Sequence, residues 1–330
     1  MTGATNHRTD FDPLRGHVAT APLAEADLPE AEHIFRTAFG TFLGAPEPET
    51  FWSDRDYVRS RWRAPHVAAL GARHERRLVG SNFATNWGTV GFFGPLTVRT
   101  DFQERGVGKA LLASTMEQFD AWGTRHVGLF TFSHSPKQLA LYQKFGFHAR
   151  FLTAIMSLLV LAAPAPAPVG WSRYGALGEP ERIEALLACR RVTDTLHPGL
   201  DLSDEIGAVN DQRLGDTVLL QGSDGLAAFA MCHYGPCSEA GADACFVKFG
   251  AVRDAPSARQ DYRRLLDACA GLAREAGMPH LLVGVNLARR EAYEELVARG
   301  FRTAVQGVAM HRHDDPGYCR PGVYILDDWR

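Results

Sequence analysis

Gln103, Gly106 and Gly108 stand where an apolar strand gives way to an amphipathic helix, within "TVRTDFQERGVGKALLAS". Amides at the start of a helix have no intrahelical acceptor, and the helix dipole adds partial positive charge there. Glycine lets such amides curl around an anion and lets a ligand approach without meeting a Cβ. The turn therefore suits a phosphate or diphosphate. The spacing equally permits a plain strand-to-helix connection that needs glycine. Two familiar nucleotide turns do not fit. Leu111 replaces the third glycine of a dinucleotide fingerprint, and Gln103 and Ala110 stand where a Walker loop needs a glycine and a hydroxyl.

The rest of the chain must hold that turn in place. Its 330 residues, 45% hydrophobic and 22% charged, suffice for two globular domains. A formal net charge of −3 offers no basic surface to nucleic acid or to an anionic membrane. No apolar run approaches the roughly 20 residues that span a bilayer. The start, "MTGATNHRTDFDPLRG", lacks an apolar signal core, so residues 1–16 read as the disordered start of a cytoplasmic protein. All six cysteines fall in the second half at irregular spacing, which argues against a disulfide framework. Cys232, His233, Cys237 and Cys245 match no common zinc spacing, so no metal is expected and these thiols read as buried and structural.

An Ala/Pro stretch at 162–170, "AAPAPAPVG", reads as a stiff linker between residues 1–161 and 171–330. Shifting the sequence by 154 positions superimposes the two parts. Val98-Arg99 falls on Val252-Arg253, Leu111-Leu112 on Leu265-Leu266, and Gly146-Phe147 on Gly300-Phe301. The register runs without a gap from Phe92/Phe246 to Met156/Met310, so the chain reads as two copies of one α+β fold. In each, a central, mostly antiparallel mixed sheet is flanked by helices. In the first copy the pattern predicts two strands around a polar turn in 66–86, then a strand from Val90 to Val98 and a helix from Val107 to Trp122. A buried strand at His126–Phe132 follows. Next comes a helix that Ser135 caps and Gly146 ends, and a last strand begins at Phe151.

The spaced residues Gln103, Gly106 and Gly108, followed by "LYQKFGF" at Leu141 to Phe147, resemble the GNAT acyltransferase superfamily. The resemblance covers Val18 to Leu161 well and Trp171 to His313 as a worn copy, an arrangement similar to tandem GNAT chains. It implies an acetyl-CoA-dependent N-acetyltransferase in which an amine attacks the thioester directly, in a ternary complex. The amides of Gln103, Glu104, Arg105, Gly106, Val107, Gly108 and Lys109 would then hold the coenzyme diphosphate. Leu96, Thr97 and Val98 would receive the pantetheine arm as an added strand, with an amide near Val98 facing the carbonyl oxygen that gains charge. Ser135 stands where the family often has an asparagine that contacts the coenzyme. The resemblance also implies that Tyr142 gives a proton to the leaving thiolate. By residue type alone it is equally a packing aromatic. The family's strand glutamate is absent from Gly88 to Val98, which leaves His134 or water as the base.

In the second copy Ser257, Gln260, Tyr262 and Leu296 replace Gln103, Gly106, Gly108 and Tyr142, so 171–330 reads as a domain that keeps the fold, has lost the chemistry and shapes the mouth of the site. For the acceptor, Phe39, Phe42, Phe51, Trp52 and Tyr57 suggest an apolar or aromatic pocket for a small-molecule amine, unless they are ordinary helix packing. The other readings of function are a coenzyme-binding sensor or scaffold without turnover, and a protein N-acetyltransferase. The two copies form an internal pseudo-dimer, and further pairing into a homodimer is left open.

Overall fold

Alternating apolar residues build a hairpin from Val67–His74 (β2) and Arg77–Trp87 (β3), turned through Glu75 and Arg76 at positive φ. The computed structural model describes residues 18–160 and 170–330, so the expectations for 1–16 and for the linker's 162–169 lie outside it. Ahead of the hairpin come β1 (Ala19–Pro22), α1 (Leu28–Phe42) and α2 (Arg59–Arg63). After it come β4 (Val90–Phe93), β5 (Thr97–Val98), α3 (Val107–Trp122), β6 (His126–Thr131), α4 (Pro136–Gln143) and β7 (Phe147–Leu159). The second half repeats the pattern with β8 (Trp171–Arg173), α5 (Glu179–Asp194), α6 (Ser203–Asp211), β9 (Gly215–Gly222), β10 (Gly225–Gly235) and β11 (Gly241–Val252). It continues through α7 (Ala258–Glu275), β12 (His280–Asn286), α8 (Arg290–Ala298), β13 (Arg302–Arg312) and β14 (Ile325–Leu326).

Several local expectations change. The strand foreseen over Val90–Val98 is broken at Gly94–Leu96. β4 pairs with β3 at Ala84↔Phe93 and β5 pairs with it at Gly80↔Val98, a register shift of one residue that marks a bulge. Pro95, with no N–H, fits such an interruption. Ser135 precedes α4, but its side chain makes no capping bond. The last strand starts at Phe147, four residues early, because its pairing continues to Arg312 of β13. Cys237 is exposed, not a buried thiol, whereas Cys232 and Cys245 are buried.

α3 lies on the sheet through Leu111, Leu112, Thr115 and Phe119, all fully buried. The apolar ones contribute about 1.5–3 kcal/mol each. The matching face of α7, including Tyr262, Leu265, Leu266 and Leu272, is buried in the same way.

All strands join one sheet, in the order β1-β2-β3-β4-β6-β13-β7-β12-β11-β10-β9-β8, with β5 on β3 and β14 on β11. The halves therefore exchange their last long strands. β13 of the second half lies antiparallel on β6 of the first, and β7 of the first half lies antiparallel on β12 of the second. The two exchanged strands pair with each other at the centre, where Ala154 and Met156 join the core of the second half.

A buried chain of charges crosses between the halves beside this junction. Arg61 of α2 grips both carboxylate oxygens of Glu239, at 2.8 and 3.0 Å. Lys248 bridges Glu239 at 3.0 Å and Glu205 at 2.8 Å, and Glu205 also meets His66 at 2.9 Å and accepts from the Trp87 indole at 3.0 Å. Burial raises the pKa of Glu239, but Arg61 and Lys248 outweigh it and hold the carboxyl down to about 2. Burial lowers the imidazoles of His126, His233 and His311 to about 4.

Both shifts depress the folded value, so both give stability that is present at neutral pH and lost on acidification. An unfolded histidine takes its proton near 6.5 and an unfolded glutamate near 4.3. Stability should therefore be flat above about pH 7 and fall from about 6.5 towards 4 through the histidines, then below about 4.3 through Glu239, at up to about 1.4 kcal/mol per pH unit for each histidine. Urea unfolding across this range measures it, and equal stability at about pH 7 and pH 4.5 would contradict the assignment. Glu239→Gln leaves Arg61 buried without its counter-charge, so the same measurement should show a loss of about 3–5 kcal/mol at neutral pH.

Candidate functional site

α3 begins at Val107 because Gly106 before it takes a left-handed conformation, with φ of 82°. Glu104 is also left-handed, at 66°. These turns aim the local amides outward. The first bond into the helix runs from Ala110 N–H to the Gly106 carbonyl at 3.0 Å. The amides of Val107, Gly108 and Lys109 make the first turn of α3 and have no acceptor within the helix. A Cβ at Gly106 would meet nothing within 4 Å, so the space over the turn is open. Arg105 and Lys109 are exposed beside it, and Lys137 of α4 reaches across to Glu104 at 2.5 Å. Helix-start amides, the helix dipole, the exposed Arg105 and Lys109 and the Lys137–Glu104 pair gather at one turn, an arrangement able to hold an anion.

The turn opens into a cleft between two strands. β4 and β6 pair in parallel from Val90↔His126 only as far as Phe92↔Gly128. Past that point the bulge at Gly94–Leu96 carries β5 away from β6. Arg99 N–H bonds the Val79 carbonyl across the β3–β5 pair, so Thr97 is the next residue bonded to β3. By the alternation of an antiparallel ladder, the N–H and C=O groups of Leu96 and Val98 point the other way, towards the gap. That is a free strand edge, able to accept an extended ligand as an added strand.

Tyr142 of α4 closes the gap at its base. It is 7% exposed and set edge-on to Phe93 with ring centroids 5.8 Å apart. Burial pushes its hydroxyl up to about 12, with the Thr131 hydroxyl bonded to it pulling the other way. The single proton of the Thr131 hydroxyl goes to Gln138 Oε1 at 3.0 Å. From there a cleft of about 970 Å³, part of it open to solvent, runs between walls of Phe35, Phe39, Trp52, Phe93 and Phe130.

The structure brings most of the expected residues to one place. Leu96, Phe39, Trp52, Tyr57 and Tyr142 line the cleft, and Gln103 through Lys109 form the turn that enters α3. Ser135 is buried at the start of α4. His134 lies at the rim instead, exposed and stacked on Phe42 at 5.4 Å, and neither residue is part of the lining. Several lining residues were not foreseen. Gln138 comes from the first half, and Val305, Trp329 and Arg330 come from the second. Strand exchange and the return of the chain after β14 carry the latter three in, and the repeat in the sequence holds no sign of either. Trp329 rests directly on β6, where a Cβ at Gly128 would lie 2.1 Å from the indole, so only glycine admits it.

Among the described residues of the second half, the corresponding turn is helical. α7 starts at Ala258, three residues earlier than α3 does in the 154-residue register, and Asp261 N–H already bonds the Ser257 carbonyl at 2.9 Å. The added turn of helix bonds the amides of Asp261, Tyr262 and Arg263, which correspond to Val107, Gly108 and Lys109. Tyr262 is fully buried there, and Leu296 stands at the position of Tyr142.

Residues 29–147 match the acetyltransferase (GNAT) family. No curated protein sequence is similar enough to match. Among solved structures, a putative acetyltransferase from Pyrococcus horikoshii aligns over 94% of this chain and 95% of its own, with a TM-score of 0.65 and 13% identity. A tandem GNAT protein from the clavulanic acid biosynthesis pathway aligns over 89% of this chain and 98% of its own, with a TM-score of 0.54 and 14% identity. A GCN5-related N-acetyltransferase from Sphaerobacter thermophilus gives 0.54 at 14% identity, covering 91% and 96% of the two chains. At such identities the likeness speaks for the fold, and the family match speaks for the first half. The chain thus carries an acetyltransferase domain of the GNAT family at residues 29–147, within an α+β fold that it shares with a tandem GNAT protein.

Proposed function

We propose that this chain transfers an acetyl group from acetyl-CoA to a primary amine of a small molecule. The observation that carries the reading is continuity: the open amides at the start of α3, a free strand edge and a buried tyrosine follow one another into an aromatic cleft. The amides of Gln103 to Lys109 would hold the diphosphate, and the edge at Leu96 and Val98 the pantetheine arm. When bound, the coenzyme supplies an acyl thioester, whose C–S bond breaks as the amine nitrogen bonds the carbonyl carbon.

The chain's own part in the chemistry is small. Tyr142 keeps its proton on Oη through neutral pH and offers it as a hydrogen-bond donor. With its hydroxyl at about 12, well above the roughly 8.5 of a thiol, donation to sulfur is favoured over complete proton transfer. Among the described residues lining the cleft there is no aspartate, glutamate or histidine. The amine therefore gives its proton to water, in preference to His134 at the rim.

Tyr142→Phe keeps the ring and removes only the donor, so turnover should fall by about 100-fold, the lower end for this kind of catalysis, while acetyl-CoA affinity holds. Gly106→Val forces a branched side chain into a left-handed turn and into the anion site, so affinity should collapse. Thiol release with a broad panel of amines, alongside calorimetry, reads both. Full activity in Tyr142→Phe would reduce that residue to packing, and coenzyme binding without any amine-stimulated release would point to a sensor.

One coenzyme should bind per chain, because α7 has consumed the amides of the second turn. Two equivalent sites by calorimetric titration would contradict that reading.

A further inference from the structure

The acceptor end of the cleft carries a surplus of hydrogen-bond donors. Among the described residues in its lining, Arg330 is the only charged side chain. That side chain is 13% exposed and lies 3.8 Å from the centroid of the Phe246 ring. Its Nε forms an ion pair with the buried Asp328 Oδ2 at 3.3 Å, and its Nη2 is buried with no hydrogen-bond acceptor among the described residues. The Tyr57 hydroxyl, in the same lining, is likewise buried and without a partner. The side-chain acceptor at the opposite end, Gln138 Oε1, is already taken by Thr131.

Buried donors are almost always satisfied, and the exceptions mark places where a ligand or water completes them. The unmet Arg330 Nη2 and Tyr57 hydroxyl, in a wall of aromatic rings, call for an acceptor. A guanidinium suits a carboxylate, which takes two parallel bonds from its planar fork. Arg330 already shares its charge with Asp328, which favours a monoanion over a phosphate dianion.

We propose that the amine accepted by this cleft carries a carboxylate, bound by Arg330 and the Tyr57 hydroxyl. The substrate class is then an amino acid with an apolar body, its carboxylate at Arg330 and its body against Phe39 and Trp52. This rests on reading the cleft as the seat of the amine.

The test is equilibrium binding to the full chain of amine pairs that differ only in the carboxylate: phenylalanine with phenethylamine, and aminohexanoate with hexylamine. In wild type at least one carboxylated member should bind at least tenfold tighter than its partner. Arg330→Met should bring that ratio within about twofold, and Arg330→Lys should restore part of it. Tyr57→Phe, which deletes one hydroxyl and keeps the ring, should lower the ratio with no loss of melting temperature, and it decides the matter if Arg330→Met does not fold. Equal binding within every pair, a preference that survives the substitutions, or no binding by any member overturns the proposal. Thiol release is read separately. Turnover without carboxylate preference overturns this inference alone. Carboxylate-selective binding without turnover upholds it and removes the acetyltransferase reading.

Discussion

The Arg61 guanidinium, 2% exposed, meets four oxygens: both carboxylate oxygens of Glu239, the Gly94 carbonyl and the Arg330 carbonyl. Removing such a charge from water costs several kcal/mol, and only near-complete pairing offsets it. Each partner is thereby fixed to a common point. Glu239 belongs to the second half, Gly94 is the bulge that parts β5 from β6, and Arg330 lies in the cleft wall. One side chain therefore sets the opening of the cleft, the docking of the halves and the position of the segment that narrows the acceptor end. Lys248 and Glu205 extend the same constraint inward, so a shift of either half would strand a buried charge.

Strand exchange makes that constraint mutual. β6 and β12 present equivalent edges, and the edge of β6 is filled by β13 where a self-contained half would have used β7. Neither half has a complete sheet without the other. The cleft inherits this arrangement, with Ile155 from β7 and Val305 from β13 facing the rings of α1. The second half is thus part of the wall of the site, although its own corresponding turn is helical.

How much of this the sequence discloses depends on how local each feature is. The α3 boundaries, the buried face of Leu111 to Phe119, the repeat and the free turn at Gly106 all follow from spacing within a few residues. The bulge does not, because Gly94-Pro95 sits in an apolar run that reads as one strand until its pairing partners are known. Strand exchange is invisible for a deeper reason: duplicated strands offer two edges of the same chemistry, and periodicity cannot choose between them. Trp329 and Arg330 were missed because their roles depend on that choice. His134 looked catalytic by residue type, while its place at the rim is set by stacking on Phe42.

Duplication within one chain removes a limit that a symmetric dimer obeys. In a dimer of identical subunits every residue serves in both copies, so a change that improves a wall on one side also alters the anion turn on the other. Here the copies are free to diverge. Gln260 in place of the glycine at 106 lets α7 gain its extra turn, and Arg259 and Arg263 beside it tie to Glu295 at 2.5 and 2.6 Å, closing the second turn with helix-to-helix ion pairs. The stability so gained serves the frame that carries Val305, Trp329 and Arg330 to the first cleft. Loss of one site and completion of the other are, in this fold, consequences of the same divergence.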